Sequence, residues 1–331
     1  MRYSSVLVIC PSNKVTAGPE ALHMLVAGLN RLGQPAAMVY HPFDRPAAAP
    51  DAYKKYAVPV AGYSDRPGTL IVFPEIYTAL ALKVRNAEAA VWWLSVNNFT
   101  AMRYGNPLRD KFRYLRNLLM RRSPWRGAGA LRHLTHYAQS HYAEQFLKSY
   151  GIASQPLADP IPVYLEAAYQ TRLSHRLAAA KRQDLILFNP LKGAAVTARL
   201  RTAFPHWSYR PLQWLDREQL ADAFLSAKLY FDFGHHPGKD RLPLEAAIHG
   251  CCVITSRHGA AANPVDMPIP ERYKLDVRAP DFIADFGALV TTIFADFDSC
   301  VRDFDRYREV IGSEPENFDR QIAQIFGLGA K

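Results

Sequence analysis

The chain has few cysteines and no long hydrophobic run, which excludes several large classes of protein. Its 331 residues include only four cysteines, Cys10, Cys251, Cys252 and Cys300, and their spacing matches no metal site. No apolar run approaches the roughly 18 to 20 residues that cross a bilayer. The apolar run that ends before Pro11 is too short for a signal peptide. We therefore expect a cytoplasmic protein whose cysteines are reduced and buried.

Motifs of hydrolases, dinucleotide enzymes and metalloproteins are also missing. The chain has no G-x-S-x-G motif, and no motif places a cysteine beside a histidine, so nucleophilic hydrolysis is unsupported. The loop before the first helix carries Gly18 but no complete G-x-G-x-x-G, which argues against a dinucleotide site. His235 and His236, with Asp232 and Asp240 nearby, lack a further ligand at a known metal-site spacing. We expect no bound metal and no separate cofactor.

Length and apolar content predict two domains of one fold class. Hydrophobic residues make up 49% of the chain, enough for two cores. Each half opens on a buried strand, a loop and a helix, with strands at Ser5 to Cys10 and Leu185 to Phe188. Ser140 and Asp216 are the expected caps of two further helices. We predict an α/β protein with two Rossmann-like domains. Their expected bounds are residues 1–160, a linker at 161–183, residues 184–310, and a final segment at 311–331.

Positive charge is concentrated in the first half. Residues 1–160 contain 19 Lys and Arg against 9 Asp and Glu, whereas residues 161–331 contain 21 of each. Nine of the basic residues lie between Arg103 and Arg132, where apolar residues recur at roughly helical spacing. A basic amphipathic helix suits an anionic membrane surface, here the inner face of the cell membrane, and a solvated helix with its apolar side in the core is the alternative. No nucleic-acid-binding module accompanies the charge, so we expect no nucleic-acid partner.

The stretch from Leu229 to Thr255 holds the densest set of candidate binding residues. An apolar strand breaks at Gly234, and a helix is expected to begin near Pro243, with Glu245 in its first turn, and to stop at Gly250. In a doubly wound sheet such a loop lies at the carboxyl end of the strand, where amides and the helix dipole favour an anion. The loop between strand and helix carries one glycine and three charged residues: Gly238, Lys239, Asp240 and Arg241.

This stretch resembles the donor-nucleotide motif of GT-B glycosyltransferases. In that motif a glycine-rich loop precedes a proline, a Glu-Ala pair, a glycine about five residues later, and an apolar strand. The matching positions here are Pro243, Glu245, Ala246, Gly250 and Val253-Ile254. The stretch is most similar to capsule and surface-polysaccharide transferases. The family often carries a second glutamate eight positions before the first, and this chain has Pro237 there.

The resemblance implies a GT-B fold, with two Rossmann-like domains facing a central cleft, and a last helix around Phe318 to Phe326 that packs back onto the first domain. It also implies transfer of a sugar from a nucleoside diphosphate, UDP or GDP, to a surface glycan or lipid-linked acceptor without an obligatory metal. Lys192 before Gly193 resembles the family's lysine for the donor pyrophosphate. The implied donor-binding residues are Asn189, Lys192, Gly193, Gly238, Lys239, Asp240, Arg241, Glu245 and Gly259.

Candidate catalytic and acceptor residues follow from the same resemblance and from strand ends. Lys192, Lys239 and Arg241, with the helix dipole after Gly238, would neutralise the departing diphosphate, and Lys192 and Arg241 are the candidate catalytic cations. Glu75 follows the third strand and is a candidate general base, with a helix-capping or surface carboxylate as the alternative. The candidate acceptor contacts are Gly18 in the first loop and Ser95 and Asn97 at the end of the apolar strand that we predict from Val91 to Val96. A plain turn is the alternative at each of these positions.

Two other functions stay open. A non-catalytic protein that binds a nucleotide or sugar on the same fold is compatible with Pro237 in place of the second glutamate. A nucleotide-sugar epimerase of GT-B type would need acidic and histidine groups around the anomeric carbon, which the sequence does not place.

Overall fold

The structure is a computed structural model that describes residues 2–12, 14–44, 48–100, 112, 115–116, 119–120 and 128–328. The chain divides into two compact units. The first unit combines residues 1–160 with 316–331, and the second comprises residues 161–315. Each unit is a parallel sheet with helices, so the prediction of an α/β fold with two Rossmann-like domains is confirmed.

The first unit is built on a six-stranded parallel sheet in the order β2-β1-β3-β4-β5-β6. Its strands are β1 (Ser5–Pro11), β2 (Ala36–His41), β3 (Thr69–Pro74), β4 (Glu88–Trp93), β5 (Thr135–Ala138) and β6 (Gln155–Pro156). Successive residues of β1 enter two different cores, Val6 and Val8 on one face of the sheet and Leu7 and Ile9 on the other. Because both faces are covered, β1 is a continuous apolar run rather than an alternating one.

In the described part of the first unit, four helices follow strands of its sheet. They are α1 (Ala17–Arg31), α2 (Thr78–Ala81), α3 (Val96–Thr100) and α4 (His141–Ser149). Leu22, Leu25 and Leu29 of α1 are buried in one of the two cores, as their spacing predicts. The Ser140 hydroxyl accepts a hydrogen bond of 3.2 Å from the Ala143 amide, so the predicted cap of α4 is confirmed.

The second unit is built on a five-stranded parallel sheet in the order β11-β10-β9-β7-β8. Its strands are β7 (Gln183–Phe188), β8 (Ser208–Pro211), β9 (Ala227–Asp232), β10 (Cys252–Ser256) and β11 (Lys274–Leu275). The register of β7 and β9 pairs Phe188 with Phe231. The segments that follow these two strands therefore leave the sheet at the same edge, side by side.

Six helices complete most of the second unit. They are α5 (Ala167–Ala179), α6 (Ala194–Ala203), α7 (Arg217–Ser226), α8 (Arg241–Ile248), α9 (Phe282–Ala295) and α10 (Phe297–Cys300). Asp216 caps α7 as predicted, and it forms a reciprocal capping box with Gln219. Helix α5 lies in the stretch that the sequence suggests as a linker. Its Tyr169 and Leu173 are buried in the core of the second unit.

The last helix, α11 (Asp305–Phe326), belongs partly to each unit and contains Pro315. Tyr307 and Ile311 are buried in the second core, whereas three later residues are buried in the first: Phe318, Ile322 and Phe326. A Cβ atom at Gly28 of α1 would lie 2.9 Å from Ile322 Cδ1, so the helices pack closely because this residue is a glycine.

Short 3₁₀ helices join these elements. Their bounds are Asp51–Tyr56, Glu75–Tyr77, Ala128–Leu131, Pro162–Leu165, Gly259–Ala262, Glu271–Tyr273 and Val301–Phe304.

Two helices begin earlier than the sequence predicts. Helix α1 begins at Ala17, which places Gly18 in its first turn rather than in the preceding loop. Helix α8 begins at Arg241 rather than near Pro243, so Glu245 lies in its second turn and not in its first. In both cases a proline occupies the first turn, where the missing N–H group has no partner to lose.

The prediction of a single strand from Val91 to Val96 is wrong. Strand β4 ends at Trp93, and Val96 already belongs to α3. Ser95 therefore lies in the connection between the two elements, and Asn97 lies inside the helix. The apolar pattern continues because Val96 is a buried helical residue, and the pattern alone does not separate a buried strand from a buried helix.

Most of the basic segment between Arg103 and Arg132 lies outside the described residues, so the amphipathic helix expected there stays a prediction. Within the described part of the chain, no helix is long and apolar enough to cross a membrane.

Candidate functional site

The connection between β7 and α6 presents Lys192 at the carboxyl edge of the second sheet. The Asn189 side chain accepts a hydrogen bond of 3.0 Å from the Leu191 amide, which turns the chain directly after the strand. Gly193 has a left-handed backbone with φ of 61°, and a Cβ atom there would lie 3.1 Å from the Phe233 carbonyl oxygen. Glycine is therefore needed where this turn passes close to the segment that follows β9.

Two further glycines shape the connection between β9 and α8. A Cβ atom at Gly234 would lie 2.7 Å from Lys192 Cβ, so the glycine lets the lysine stem cross the backbone. Gly259 has φ of 59°, and a Cβ atom there would lie 2.0 Å from the His236 carbonyl oxygen. The next residue, Ala260, donates its amide to the same carbonyl at 2.8 Å. The segment after β10 thus holds the loop in place from one side.

A chain of ionisable groups connects the two loops. Lys192 Nζ lies 2.7 Å from Asp240 Oδ1, and His236 Nδ1 lies 3.0 Å from Asp240 Oδ2. On the other side of the imidazole ring, His236 Nε2 lies 3.3 Å from the Asp232 carbonyl oxygen. The Asp232 carboxylate accepts hydrogen bonds from the Gly234 amide at 2.8 Å and the Tyr230 hydroxyl at 3.0 Å. The two predicted donor loops are therefore one hydrogen-bonded and ion-paired unit.

The charges in this chain stabilise one another. Burial lowers the pKa of His236, but the Asp240 and Asp232 carboxylates outweigh it, and the net pKa is raised. Burial also works against ionisation of Asp240, but His236 and Lys192 outweigh it, and its pKa is lowered. Both ring nitrogens of His236 face oxygen atoms, which suits an imidazolium that donates on both sides. The loop is thus arranged as alternating cations and anions.

The neighbouring His235 behaves differently. Burial and the nearby cations and histidines lower its pKa to about 4, so this ring is neutral near pH 7. It lies half-buried, with its ring centroid 6.2 Å from that of His258.

Lys239 occupies a separate ion pair. Its Nζ lies 2.5 Å from Oε1 of Glu314 on α11, and the Glu314 side chain is almost completely buried. A small cavity behind the loop is lined by Lys239 and Asp240 together with Asp266, Met267 and Tyr307. Lys239 therefore pairs with Glu314 and lines one cavity of the second unit together with Asp240 and Asp266.

The two remaining predicted donor residues lie on α8. Arg241 is the first residue of the helix and is partly buried, and Glu245 is partly buried one turn later. The Glu245 carbonyl oxygen is 2.6 Å from His249 Nδ1, and His249 Nε2 is 2.7 Å from the Tyr169 hydroxyl. These contacts attach the end of α8 to α5. Gly238 is buried in the loop just before the helix.

Glu75 lies in the first unit, at the carboxyl end of β3, and is only 2% exposed. Its carboxylate accepts hydrogen bonds from the Leu94 amide at 3.1 Å and from Asn98 Nδ2 at 2.9 Å, and from the Ser95 amide. It therefore holds the start of α3, which matches the capping alternative, whereas a surface carboxylate is wrong. Burial raises its pKa to about 7 despite these donors. A role as general base stays a prediction.

The predicted acceptor residues lie near Glu75. A Cβ atom at Gly18 would lie 3.8 Å from Leu94 Cδ1, and Ser95 donates its amide to Glu75. Asn97 is partly buried in the first turn of α3. The structure thus groups Gly18, Ser95 and Asn97 around one turn of the first unit, while their contact with an acceptor stays a prediction.

Three residues that matter for the geometry are not donor predictions of the sequence. Asp232 and His236 are spaced four residues apart around a strand end, and this spacing is a signal that points to a metal as readily as to an internal ion pair. Glu314 is 75 positions away from Lys239, and no local pattern connects the two. Among the residues described, no group of three or more His, Cys, Asp or Glu is placed to hold a metal ion.

The arrangement at the start of α8 suits a phosphorylated ligand. The Lys192 side chain, backbone amides and the positive end of a helix dipole meet at the carboxyl edge of a parallel sheet, and Arg241 is the first residue of that helix. Two parallel Rossmann-like sheets with this loop define the GT-B fold.

Solved structures share this fold over the whole chain. Sucrose-phosphate synthase from Thermosynechococcus elongatus is 13% identical, with 98% of each chain covered and a TM-score of 0.68. A glycosyltransferase from Rickettsia africae is 12% identical, with 99% of this chain and 98% of the other covered and a TM-score of 0.59. The catalytic domain of starch synthase IV from Arabidopsis thaliana, bound to ADP and acarbose, is 11% identical, with 98% of this chain and 100% of the other covered and a TM-score of 0.54.

At these identities the likeness establishes the fold and leaves the activity to be argued from the site. A scan against protein-family models finds no match. A search of curated proteins finds none either.

Proposed function

We propose that the protein is a glycosyltransferase that moves a sugar from a nucleoside diphosphate to a surface-glycan or lipid-linked acceptor. The observation that carries the proposal is the position of Lys192, held by Asp240 at 2.7 Å between the carboxyl end of β7 and the start of α8. A cation at that place meets the diphosphate of a ligand whose phosphates face the helix. The family resemblance of the sequence around Glu245 supports the same ligand.

In the proposed reaction the acceptor hydroxyl forms a bond to the anomeric carbon while the bond from that carbon to the diphosphate oxygen breaks. Lys192, Arg241 and the amides at the start of α8 stabilise the charge that develops on the departing diphosphate. Glu245 holds the ribose hydroxyls. The proton of the acceptor hydroxyl goes to a base, for which Glu75 is the candidate in the first unit, with its pKa of about 7.

The donor class is a nucleoside diphosphate sugar, with UDP and GDP as the first candidates, and the proposed chemistry needs no metal. Starch synthase IV, among the structures of similar fold, is described with ADP bound, so ADP is included in the test. The protein is incubated with UDP-, GDP- and ADP-linked sugars, with and without an oligosaccharide or lipid-linked acceptor, in the presence of a chelator. Nucleoside diphosphate release that depends on the acceptor is expected.

A second candidate is a nucleotide- or sugar-binding protein without transfer activity. Pro237 stands where the family often has a second glutamate, and the carboxylate of Glu75 is occupied by donors from its own chain. Tight binding of a nucleotide sugar without release of its diphosphate in the same assay would favour this candidate. Conversion of the donor to its epimer would instead indicate an epimerase.

We also propose that the basic segment contacts an anionic membrane where a lipid-linked acceptor is located. Between Arg103 and Arg132 the sequence carries nine basic residues and a single acid, Asp110. The side chains described there include exposed apolar ones: Phe112, Leu115, Leu119 and Met120. Sedimentation with vesicles of phosphatidylglycerol, but not with vesicles of phosphatidylcholine alone, is expected. Equal binding to both vesicles, or to neither, would contradict this role.

A further inference from the structure

We infer that Glu314 is a positioning residue for the diphosphate site and that Lys239 anchors the loop instead of binding phosphate. The inference rests on the proposed function for the identity of the ligand. It revises the sequence prediction for Lys239 and gives a role to a residue that no motif singles out.

The ion pair between Lys239 and Glu314 is largely buried. The side chains of Lys239 and Glu314 are 15% and 4% exposed, and their charged atoms are 2.5 Å apart. A lysine that turned outward to a ligand would break this contact at an almost fully buried carboxylate, and breaking a buried ion pair is costly in a protein interior. The pair is therefore a fixed part of the second unit.

Acidic residues lie near Lys239. Lys239 lines the same cavity as Asp240 and Asp266, and the fully buried Tyr307 forms another wall. Burial, with Glu314, Asp266 and Asp240 nearby, raises the pKa of Tyr307 well above its usual value, so this hydroxyl is neutral. Glu314 and Asp266 thus add negative charge to the surroundings of Lys239 inside the unit.

Lys192 is more exposed to solvent than Lys239. The Lys192 side chain is 33% exposed and its partner Asp240 is 20% exposed, so this lysine is the more accessible of the two to a ligand. Because Asp240 follows Lys239 directly in the chain, the position of Lys239 determines where Asp240 holds Lys192. Glu314 thus acts on the diphosphate through two consecutive ion pairs.

The loop between β9 and α8 is held at two separate points, and Glu314 contacts only one of them. Gly259 and Ala260 pack against the His236 carbonyl at the beginning of the loop, while Glu314 holds its end. Without the Glu314 contact the loop keeps only the attachments of His236 and Asp240, and Lys239 no longer restricts the position of Asp240.

The experiment compares Glu314→Gln and Lys239→Met with wild type, and with Glu309→Gln as the matched control. Glu309 is an exposed carboxylate on the same helix, paired with Arg306 at 3.1 Å. The probes are UDP, GDP, ADP and CMP, measured by calorimetric titration, and the tightest of them is used for the comparison. Both variants are expected to bind it about tenfold more weakly, and the double variant no more weakly than either one. Glu309→Gln should bind like wild type.

A phosphate-binding role for Lys239 would change the nucleotide affinity of Glu314→Gln in the opposite direction. If Lys239 were a phosphate ligand held back by Glu314, Glu314→Gln would release it and tighten binding, while Lys239→Met alone would lose affinity. That result overturns the inference, and so does unchanged affinity in Glu314→Gln. Glu314→Asp keeps the charge and should recover part of the lost affinity, which separates a specific ion pair from general damage to the fold.

Hydrogen exchange tests whether Lys239 anchors the loop even if the wild-type protein binds none of the four nucleotides. Absence of nucleotide binding would contradict the proposed donor but not the anchoring role of Lys239. The amides of residues 234–240 should then exchange faster in Glu314→Gln and Lys239→Met than in wild type or Glu309→Gln. Unchanged exchange in this loop would show that Lys239 anchors nothing.

Discussion

Two carboxylates, the buried Glu75 in the first unit and the partly buried Asp240 in the second, lie in comparable places and have opposite electrostatics. Each follows a strand of a parallel sheet and lies next to the start of a helix. Glu75 is surrounded by neutral donors, and burial raises its pKa to about 7. Asp240 lies between Lys192 and His236, which lower its pKa despite burial.

The difference shows that hydrogen bonds from amides do not replace a cation in a dry environment. The three donors around Glu75 do not offset the loss of water, whereas one ammonium and one imidazolium do so for Asp240. A carboxylate like Glu75 is suited to take up a proton near pH 7. A carboxylate like Asp240 is suited to hold a cation in place.

The largest effect is expected from a substitution at Gly259, which packs against the loop that carries Asp240. Gly259→Ala places a Cβ atom 2.0 Å from the His236 carbonyl oxygen, at a backbone with φ of 59°. The free energy of unfolding of the second unit should fall by about 4 kcal/mol because the loop must move. Chemical denaturation measures it. Gly312→Ala, at an exposed helical site with no neighbour within 4 Å, is the control and should be neutral or slightly stabilising.

The next effect is a pH dependence that comes from Glu75. Below its ordinary pKa of 4.5 the group is protonated in both the folded and the unfolded chain. Between that value and about 7 the unfolded chain loses the proton while the folded chain keeps it, so stability falls as the pH rises. At about 1.4 kcal/mol per pKa unit the loss by pH 8 is about 3 kcal/mol.

Denaturation of wild type and Glu75→Gln from pH 4 to pH 8 tests this sign. The difference between them should change with pH in the direction given, because the variant lacks the titrating group. Glu316→Gln removes an exposed carboxylate of the same unit and should keep the wild-type profile. A difference that stays constant across the range would contradict the raised pKa.

A smaller effect sharpens the role of the cation beside Asp240. Lys192→Ala should weaken binding of the nucleoside diphosphate by about 2 kcal/mol, roughly thirtyfold, because a charge-assisted contact is lost. Adding Glu245→Ala should weaken it further. Lys181→Ala, at an exposed position of the same unit, is the matched control. Unchanged affinity in the Lys192 and Glu245 double variant would remove the proposed site.

The smallest effect compares helix caps in the two units. Asp216 exchanges two hydrogen bonds with Gln219, of 2.9 and 3.0 Å, whereas Ser140 accepts one of 3.2 Å. Asp216→Ala should cost about 1 kcal/mol and Ser140→Ala no more than that. Calorimetry of both variants checks the order, and a larger loss from Ser140→Ala would reverse it.

The sequence predicts the sheets well because buried parallel strands are short apolar runs ended by turn residues. Ser5 to Cys10 and Leu185 to Phe188 are examples, and each is found within one or two residues of its expected bounds. The capping residues Ser140 and Asp216 are read correctly because their signal lies within four positions.

The sequence predicts the electrostatics of the site less well because charge pairing depends on distant residues. It suggests both Lys192 and Lys239 as cations for the donor phosphates, and the fold pairs the first with Asp240 and the second with Glu314. It also leaves the burial of Glu75 open, since a carboxylate after a strand is usually found at the surface. Helix starts are displaced where a proline occupies the first turn.

The discontinuous first unit has a consequence for the order of synthesis. Its core needs Phe318, Ile322 and Phe326, which leave the ribosome after the whole second unit has been made. We expect residues 1–160 to stay protease-sensitive on a nascent chain until the carboxyl-terminal helix emerges, although they are translated first. Limited proteolysis of stalled chains of increasing length would show protection of the first unit arising only with the final residues.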